Sequence, residues 1–517
     1  MYRLLFWNFI FLILFSAYCN GQTIEWQRAC GGNNDDYFYG VATDTLGFIY
    51  VVGSSATENN GDLPLSCSTT SAAQNPWVYK CDSLGNLQWS KCLGIDGRIY
   101  DIVRSDHNTF YITGWLCDGG QPGCDLWYAE MDTTGTVGAI SFISGGPNEE
   151  EYGYSVGKSS IHNLVAVGMT NTALAHGDFD LYFLASDSNG ALVQWYGGSN
   201  FDVGSYIHEL SNGNLLIVGT TFSTDGDITS THGNGDAWVL EIDQMGNIIW
   251  QKTYGGSDWD NAYSFLELPN GLIAIVGTTE SADGDILSNH SNDNDAWLFI
   301  IDSIGNLQNS WTYGGTFTET FNKVFFNSVT GNFTVIGLAG SLDGDVVFNH
   351  NPNGGNEIWH VIIDSTGSII SSSTFGGFGF DTPYSAVTTD DDIIIVGSTN
   401  TNNNGDVSNY HFSAVYPDDG WVLRINNFTT NIKAFTSTEI IKVFPNPVHD
   451  KMKFIMPSAQ QSQRIEIHIY DLFGKVVLSQ NEFIRSEELD VSSLSSGCYI
   501  ISVLINNQSH LFKLIKL

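Results

Sequence analysis

A tandem repeat occupies most of the 517-residue chain, and its period decides the architecture before any single residue can. The fullest copy begins Trp250-Gln-Lys-Thr-Tyr-Gly255-Gly256-Ser-Asp-Trp-Asp260. It continues through Pro269-Asn-Gly271, Leu272-Ile-Ala-Ile-Val-Gly277, Asp283-Gly-Asp285, Asp295-Ala-Trp297 and Asp302-Ser-Ile-Gly305. An aliphatic-Gly mark (Thr-Gly once) recurs at Gly53, Gly114, Gly168, Gly219, Gly277, Gly337 and Gly397. A polar/aromatic mark recurs at Trp77, Trp127, Tyr182, Trp238, Trp297, Trp359 and Trp421. Each series has seven members, spaced by roughly 50–60 residues.

Within a copy, runs of four to eight Val, Ile, Phe, Tyr and Trp residues are bounded by Gly, Asn, Asp and Ser. That is a strand-and-turn pattern with no helical period. Two hairpin turns of the Pro-Asn-Gly and Asp-Ser-Ile-Gly kind give four strands per copy, A to D, the content of a propeller blade. The last copy stops after Asp419-Gly-Trp421-Val-Leu-Arg-Ile425, without its D strand. A strand of that type stands near the N-terminus instead, Ile24-Glu-Trp26-Gln-Arg-Ala-Cys-Gly31-Gly32. Circular closure follows, with the N-terminal strand covering the final blade's open edge. The fold class is all-β: a seven-bladed propeller over 22–431, with six or eight blades if the degenerate second copy is miscounted (Leu93-Gly94-Ile95-Asp96 in place of Gly-Gly).

Arg3 followed by an apolar run to Ala17 reads as a secretory signal peptide over 1–21. The net charge of −37 sits entirely in the first 436 residues. From residue 437 onward, eight Lys/Arg face eight Asp/Glu. A linker at 432–440 and a small β-sandwich at 441–517 are expected. The acidic surface excludes nucleic acid, which needs a basic footprint. No other stretch reaches membrane-span length, and a monomer is expected.

The tail carries Val443-Phe-Pro445-Asn446-Pro447, Tyr470-Asp471-Leu-Phe-Gly474-Lys475, Leu494-Ser-Ser-Gly497-Cys-Tyr499 and Lys513-Leu-Ile-Lys516. In this it resembles the C-terminal sorting domain of the type IX secretion system of Bacteroidota. The resemblance implies Sec export, passage across the outer membrane by the type IX machinery, and release or attachment at the cell surface. Of the cysteines, Cys117 and Cys124 bound a short polar loop and could pair locally. An odd number remains after leader cleavage, which leaves at least one thiol free.

An acid follows each Gly-Gly pair by four residues (Asp36, Glu150, Asp202, Asp260, Glu319, Asp381). A second acidic series lies in the B-to-C loops, on the same face. Asp225, Asp227, Asp236, Asp283, Asp285 and Asp295 are the set from which a Ca²⁺ site would be drawn. Asp before Gly is also a standard turn residue, and its repetition in nearly every blade favours scaffold. The recurring Trp residues read as packing between blades. Trp115, Trp259, Phe378 and Phe380 depart from the pattern and are the candidate ligand contacts, since function tends to break a repeat. His232, His290, His350 and His411 read as solvated loop residues. Gly153-Tyr-Ser155-Val-Gly157 matches a nucleophile elbow in letters only, because it falls in register with the A strands. The propeller repeats resemble those of secreted bacterial β-propeller proteins. The function expected is an exported, non-enzymatic binding or adhesion propeller for glycan or protein. The alternative is a secreted carbohydrate-active or other hydrolytic enzyme with a site at the channel.

Overall fold

A computed structural model describes residues 23–426 and most of 442–516. The exceptions are loop segments at 58–59, 64–73, 106–107, 118–122, 144–148, 173–176, 189, 292, 390–391 and 412–416, and, in the tail, 445–447, 456–464, 471–475, 484–488, 496 and 506–507. The expected leader, the linker, and Pro445, Asn446, Pro447, Asp471, Gly474 and Lys475 therefore lie outside the described residues. Among the described residues no helix is long and apolar enough to cross a membrane. Contacts divide the chain into two units, residues 1–429 and 430–517.

The first unit is a seven-bladed propeller: seven four-stranded antiparallel sheets. Blade 4 is representative, with strands A (Asp202–Glu209), B (Leu215–Thr221), C (Asp236–Ile242) and D (Ile248–Tyr254). Strands B and C are buried along their whole length, as their near-continuous apolar runs require. The aliphatic-Gly mark has a steric cause. A Cβ on Gly277 would lie 1.8 Å from the Asn261 carbonyl oxygen of the neighbouring A strand.

The C-strand tryptophans Trp77, Trp127, Trp238, Trp297, Trp359 and Trp421 are fully buried. Four of them donate their indole N–H to a D-strand side chain thirteen residues on: Trp77 to Ser90 (2.7 Å), Trp238 to Gln251, Trp297 to Ser310 and Trp359 to Ser372 (all 2.9 Å). Trp421 has no such residue ahead of it. It donates instead to Gln27, also at 2.9 Å. The strand Ile24–Cys30 pairs with Asp419–Asn426 from Ile24↔Ile425 to Cys30↔Gly420, so the N-terminal strand is the D strand of blade 7. The ring is closed by chemistry that repeats the other blades.

The second unit contains a sheet of Lys442–Phe444, Lys451–Ile455 and Leu489–Asp490, and a sheet of Val476–Phe483, Ile465–Tyr470, Gly497–Ile505 and Gln508–Lys516. Val448, Met452, Ile467, Ile469, Leu489, Val491, Leu494 and Ile501 form one apolar cluster. Gly497 pairs with Lys516 and Ile500 with Lys513 in the last hairpin. The Tyr499 hydroxyl donates to the Ser495 carbonyl at 2.8 Å.

Candidate functional site

Two regions carry the polar chemistry of the propeller: the loop face and the central channel. On the loop face, the expected acids point into the scaffold. Asp202 accepts the Gly198 N–H (2.8 Å) and the hydroxyls of Thr221 and Ser223. Asp225 accepts the Ser199 N–H (2.7 Å) and Asp227 the Gly197 N–H (3.1 Å). Asp283 and Asp285 repeat this with Ser257 and Gly255. Asp236 accepts the His232 N–H, and Asp295 accepts both the His290 N–H (2.6 Å) and its ring Nδ1 (2.8 Å). Among the described residues, no three His, Cys, Asp or Glu side chains gather as a metal site. In blade 3 it is Glu151, fully buried, that opens strand A, while Glu150 accepts the Tyr152 hydroxyl.

The loop histidines are bridges between blades, contrary to the solvated reading. His411 meets Asp419 of its own blade through Nδ1 (3.0 Å) and Asp62 of blade 1 through Nε2 (3.6 Å). His232 with Asp236 and Asp285, His290 with Asp295 and Asp345, and His350 with Glu357 and Asp406 repeat the link. The second partner is more than fifty residues away in sequence, so a reading of one copy could not find it.

The central channel is where the blades cease to be equivalent. Every A strand has a register shift at one residue. The skipped residues are Tyr39, Tyr100, Tyr154, Ser205, Tyr263, Asn322 and Tyr384. All seven line one cavity of about 310 Å³. A bulge re-aims a side chain that strict alternation would send elsewhere, and here it turns one residue per blade inward. The rings form a continuous row: Tyr384–Tyr39 and Tyr39–Tyr100 at 5.0 Å, Tyr100–Tyr154 at 5.3 Å, and Tyr154–Tyr152 stacked at 6.3 Å. Trp115 extends it, 6.1 Å from Tyr152. Blades 7, 1, 2 and 3 thus supply an aromatic wall, and blades 4 and 6 face it with Ser205 and Asn322. Burial raises the pKa of Tyr39, Tyr154 and Tyr384, and holds Tyr263 at about 12, so these hydroxyls remain protonated donors.

One residue further along each A strand, the ring reads Gly40, Asp101, Ser155, Tyr206, Ser264, Lys323 and Ser385. Only blades 2 and 6 place a charge there. Asp101 accepts the Val156 N–H (2.9 Å) and the Ser155 hydroxyl (3.1 Å), and Lys323 lies 4.2 Å over the Tyr206 ring. Burial raises the Asp101 pKa and lowers that of Lys323, and each charge opposes the other's shift. Both residues also line a second cavity with Val41, Ile102 and Phe325, so they form the floor between two halves of the channel. Ser155 belongs to the Gly-x-Ser-x-Gly stretch, but no histidine lines the cavity with it.

Of the four expected ligand contacts, only Trp115 stands near the channel. Trp259 (44% exposed) packs on Phe222, and Phe378 (63%) and Phe380 (58%) project from the loop face. Cys117 and Cys124 form a disulfide joining the end of strand B to the start of strand C in blade 2, with Cα atoms 4.2 Å apart. Cys30 and Cys81 are buried thiols.

Residues 442–517 match the secretion system C-terminal sorting domain, and residues 25–60 match a β-propeller repeat. The chain is a β-propeller repeat protein with a type IX sorting domain. Such a domain engages the secretion machinery and implies export to the cell surface or beyond. No curated protein matches the sequence. Similar solved structures include PorZ, a surface component of the type IX secretion system of Porphyromonas gingivalis (11% identity, 94% of this chain and 60% of PorZ, TM-score 0.40). This chain therefore spans about three fifths of the length of PorZ. The Neurospora crassa Pan2 WD40 domain is another (8% identity, 78% of this chain and 95% of that domain, TM-score 0.40). A puromycin hydrolase is a third (10% identity, 72% of this chain and 50% of that one, TM-score 0.38).

Proposed function

We propose that the exported propeller is a non-enzymatic binding module that takes a glycan into the mouth of its central channel. The observation that carries this reading is the row of inward-turned tyrosines. Sugar rings present C–H faces to aromatic rings and hydroxyls to hydroxyls, and rigid tyrosines offer both with little entropy to lose. The loop carboxylates support it from the other side, because those of Asp202, Asp225, Asp227, Asp236 and Asp295 accept backbone amides, hydroxyls and histidines of the scaffold.

A glycan array with the purified protein, with and without Ca²⁺, is the test. A ligand found there should lose roughly 100-fold in affinity in the double variant Tyr39→Ala/Tyr100→Ala, two aromatic contacts of about 1.4 kcal/mol each. Silence on the array, or binding untouched by the double variant, would sink the reading. The hydrolytic alternative rests on Asp101 and Lys323, an acid and a base that break the repeat at the channel floor. Polysaccharide turnover lost in Asp101→Asn would establish it instead.

A further inference from the structure

Arg98 stands one residue before the position where strand A of blade 2 meets Gly114. The equivalent residues are Tyr37, Tyr152, Val203, Asn261, Thr320 and Thr382, all uncharged in their ordinary state. In a chain with 56 acidic residues and 19 Lys and Arg, a cation would be expected beside a carboxylate. Arg98 is not. Its Nη1 donates to the Tyr39 hydroxyl (3.2 Å) and the Tyr100 hydroxyl (3.4 Å), and its Nε is buried with no acceptor among the described residues. The guanidinium carbon lies 5.8 Å from the Tyr39 ring centroid and 5.7 Å from that of Trp115. The Trp127 indole N–H holds the Arg98 carbonyl at 3.2 Å, which fixes the backbone beneath it.

The hydroxyls beside Arg98 are polarised in one sense. Trp115 Nε1 also donates to the Tyr100 hydroxyl (3.3 Å). Guanidinium and indole can only donate, so Tyr100 accepts from both, and its own proton is left to donate elsewhere. At the equivalent positions of blades 1 and 3 the tyrosines do meet carboxylates, the Tyr37 hydroxyl donating to Asp418 and the Tyr152 hydroxyl to Glu150 (both 2.9 Å). The Tyr100 hydroxyl on the channel wall is thus left a proton to donate, and beside it stands a half-buried guanidinium framed by aromatic faces. On a chain of net charge −37 an anion gains nothing from the long-range field, so its selection must come from direct contact.

We infer that this corner of the channel mouth selects glycans that carry a carboxylate, with Arg98 pairing the carboxylate of a uronic acid whose ring rests on the tyrosine wall. The inference rests on the glycan reading above and adds the class of sugar. Guanidinium and carboxylate are matched in shape as well as charge, which a neutral sugar hydroxyl is not.

The experiment pairs oligogalacturonate, oligoglucuronate and oligomannuronate each with its methyl ester, and titrates them by calorimetry into the full-length purified protein. At least one acid form should bind ten-fold or more tighter than its ester. Arg98→Gln should bring the acid and ester affinities of that oligosaccharide to within about two-fold of each other. Arg98→Lys should restore part of the preference, and circular dichroism should report a folded propeller for both variants. Equal binding of acid and ester, or a preference that survives Arg98→Gln, overturns the inference and leaves the glycan reading intact. Binding of neither form, with an array likewise silent, overturns both.

Discussion

Deleting residues 23–30 should abolish the folded monomer. Those residues hold the D strand of blade 7, and among the described residues every other propeller strand is already paired in its own blade. Its loss removes a ladder of pairs from Ile24↔Ile425 to Cys30↔Gly420 and takes away the Gln27 acceptor of the Trp421 indole. It also breaks the bond that ties the seam to blade 1, from Trp26 Nε1 to the Ser83 carbonyl (3.0 Å), and the ion pair of Glu25 with Arg424 within blade 7 (3.2 Å). Strand C of blade 7 would become an edge carrying Trp421, Leu423 and Ile425, side chains that are now fully buried. An exposed apolar edge is a template for pairing with other chains. Uncovering one large core residue already costs about 3–5 kcal/mol, against a total stability on the order of 5–15 kcal/mol. Light scattering after size exclusion and thermal unfolding by circular dichroism would check this. A monomer melting within a few degrees of the intact chain would contradict circular closure.

Lowering the pH from 8 to 6 should raise the melting temperature of the propeller, the reverse of ordinary acid sensitivity. The cause lies at the blade interfaces. Gly31 is flanked by carboxylates from two blades: a Cβ there would lie 2.5 Å from Asp36 Oδ2 and 2.6 Å from Asp419 Oδ1. Gly197 stands in the same way between Asp180 and Asp202, and Gly314 between Asp295 and Glu319. Asp36 Oδ1 and Asp419 Oδ1 are both buried without a partner. A proton held between such carboxyls satisfies both, as two like charges in one dry site cannot easily coexist. Burial, added to the neighbouring carboxylate, pushes Asp36 and Asp381 up to about 7. Burial with the neighbouring Asp236 likewise raises Asp260 to about 6, and burial raises Glu319 to about 7. His350 and His411 are raised as well, by hydrogen bonds to Glu357 and Asp419.

Each of these groups binds a proton more tightly when folded. Its contribution is complete below the unfolded pKa, near 4 for the carboxyls, and is lost as the pH rises through 6 to 7. A carboxyl titrating near 7 contributes about 1.4 kcal/mol between pH 8 and 6, so several together correspond to a rise of roughly 3–5 °C. His360, fully buried and lowered to about 4, opposes the trend only below its unfolded value near 6.5. Asp36→Asn, which supplies an N–H where the proton would sit, should flatten the dependence and stabilise the protein at pH 8. A melting temperature that falls steadily from pH 8 to 6 would refute the shared-proton picture.

The blade count and the closure were legible because both rest on marks fixed by sterics. Gly277 has no room for a Cβ, and four of the six C-strand tryptophans bond a partner thirteen residues on, so the pattern survives in most copies. The missing D strand after Trp421 was visible for the same reason. The channel was not legible. Its lining depends on a bulge that breaks the alternation within strand A, and the distance from the opening acid to the bulged tyrosine shifts by one residue in blade 2, where Asp96 precedes Tyr100 by four. Reading the A strands in register, with Phe38, Ile99 and Phe321 aligned, would have exposed Arg98, Asp101 and Lys323 as charges without counterparts. The loop acids drew attention first because they repeat, and repetition is what marks them as scaffold. Trp115 departs from the pattern in the sequence, but its neighbours Arg98 and Tyr100 come from a different strand.

The most direct measurement is a hydrogen-exchange footprint of the full-length protein with and without the tightest oligosaccharide found on the array. Slowed exchange should fall on the bulged segments of the aromatic wall, residues 37–40, 98–101 and 152–155 and the strand around Tyr384, while the Asp-Gly-Asp loops at 225–227 and 283–285 stay unchanged. Protection confined to those loops, with the A strands unaffected, would place the ligand on the loop face and contradict a binding site in the channel.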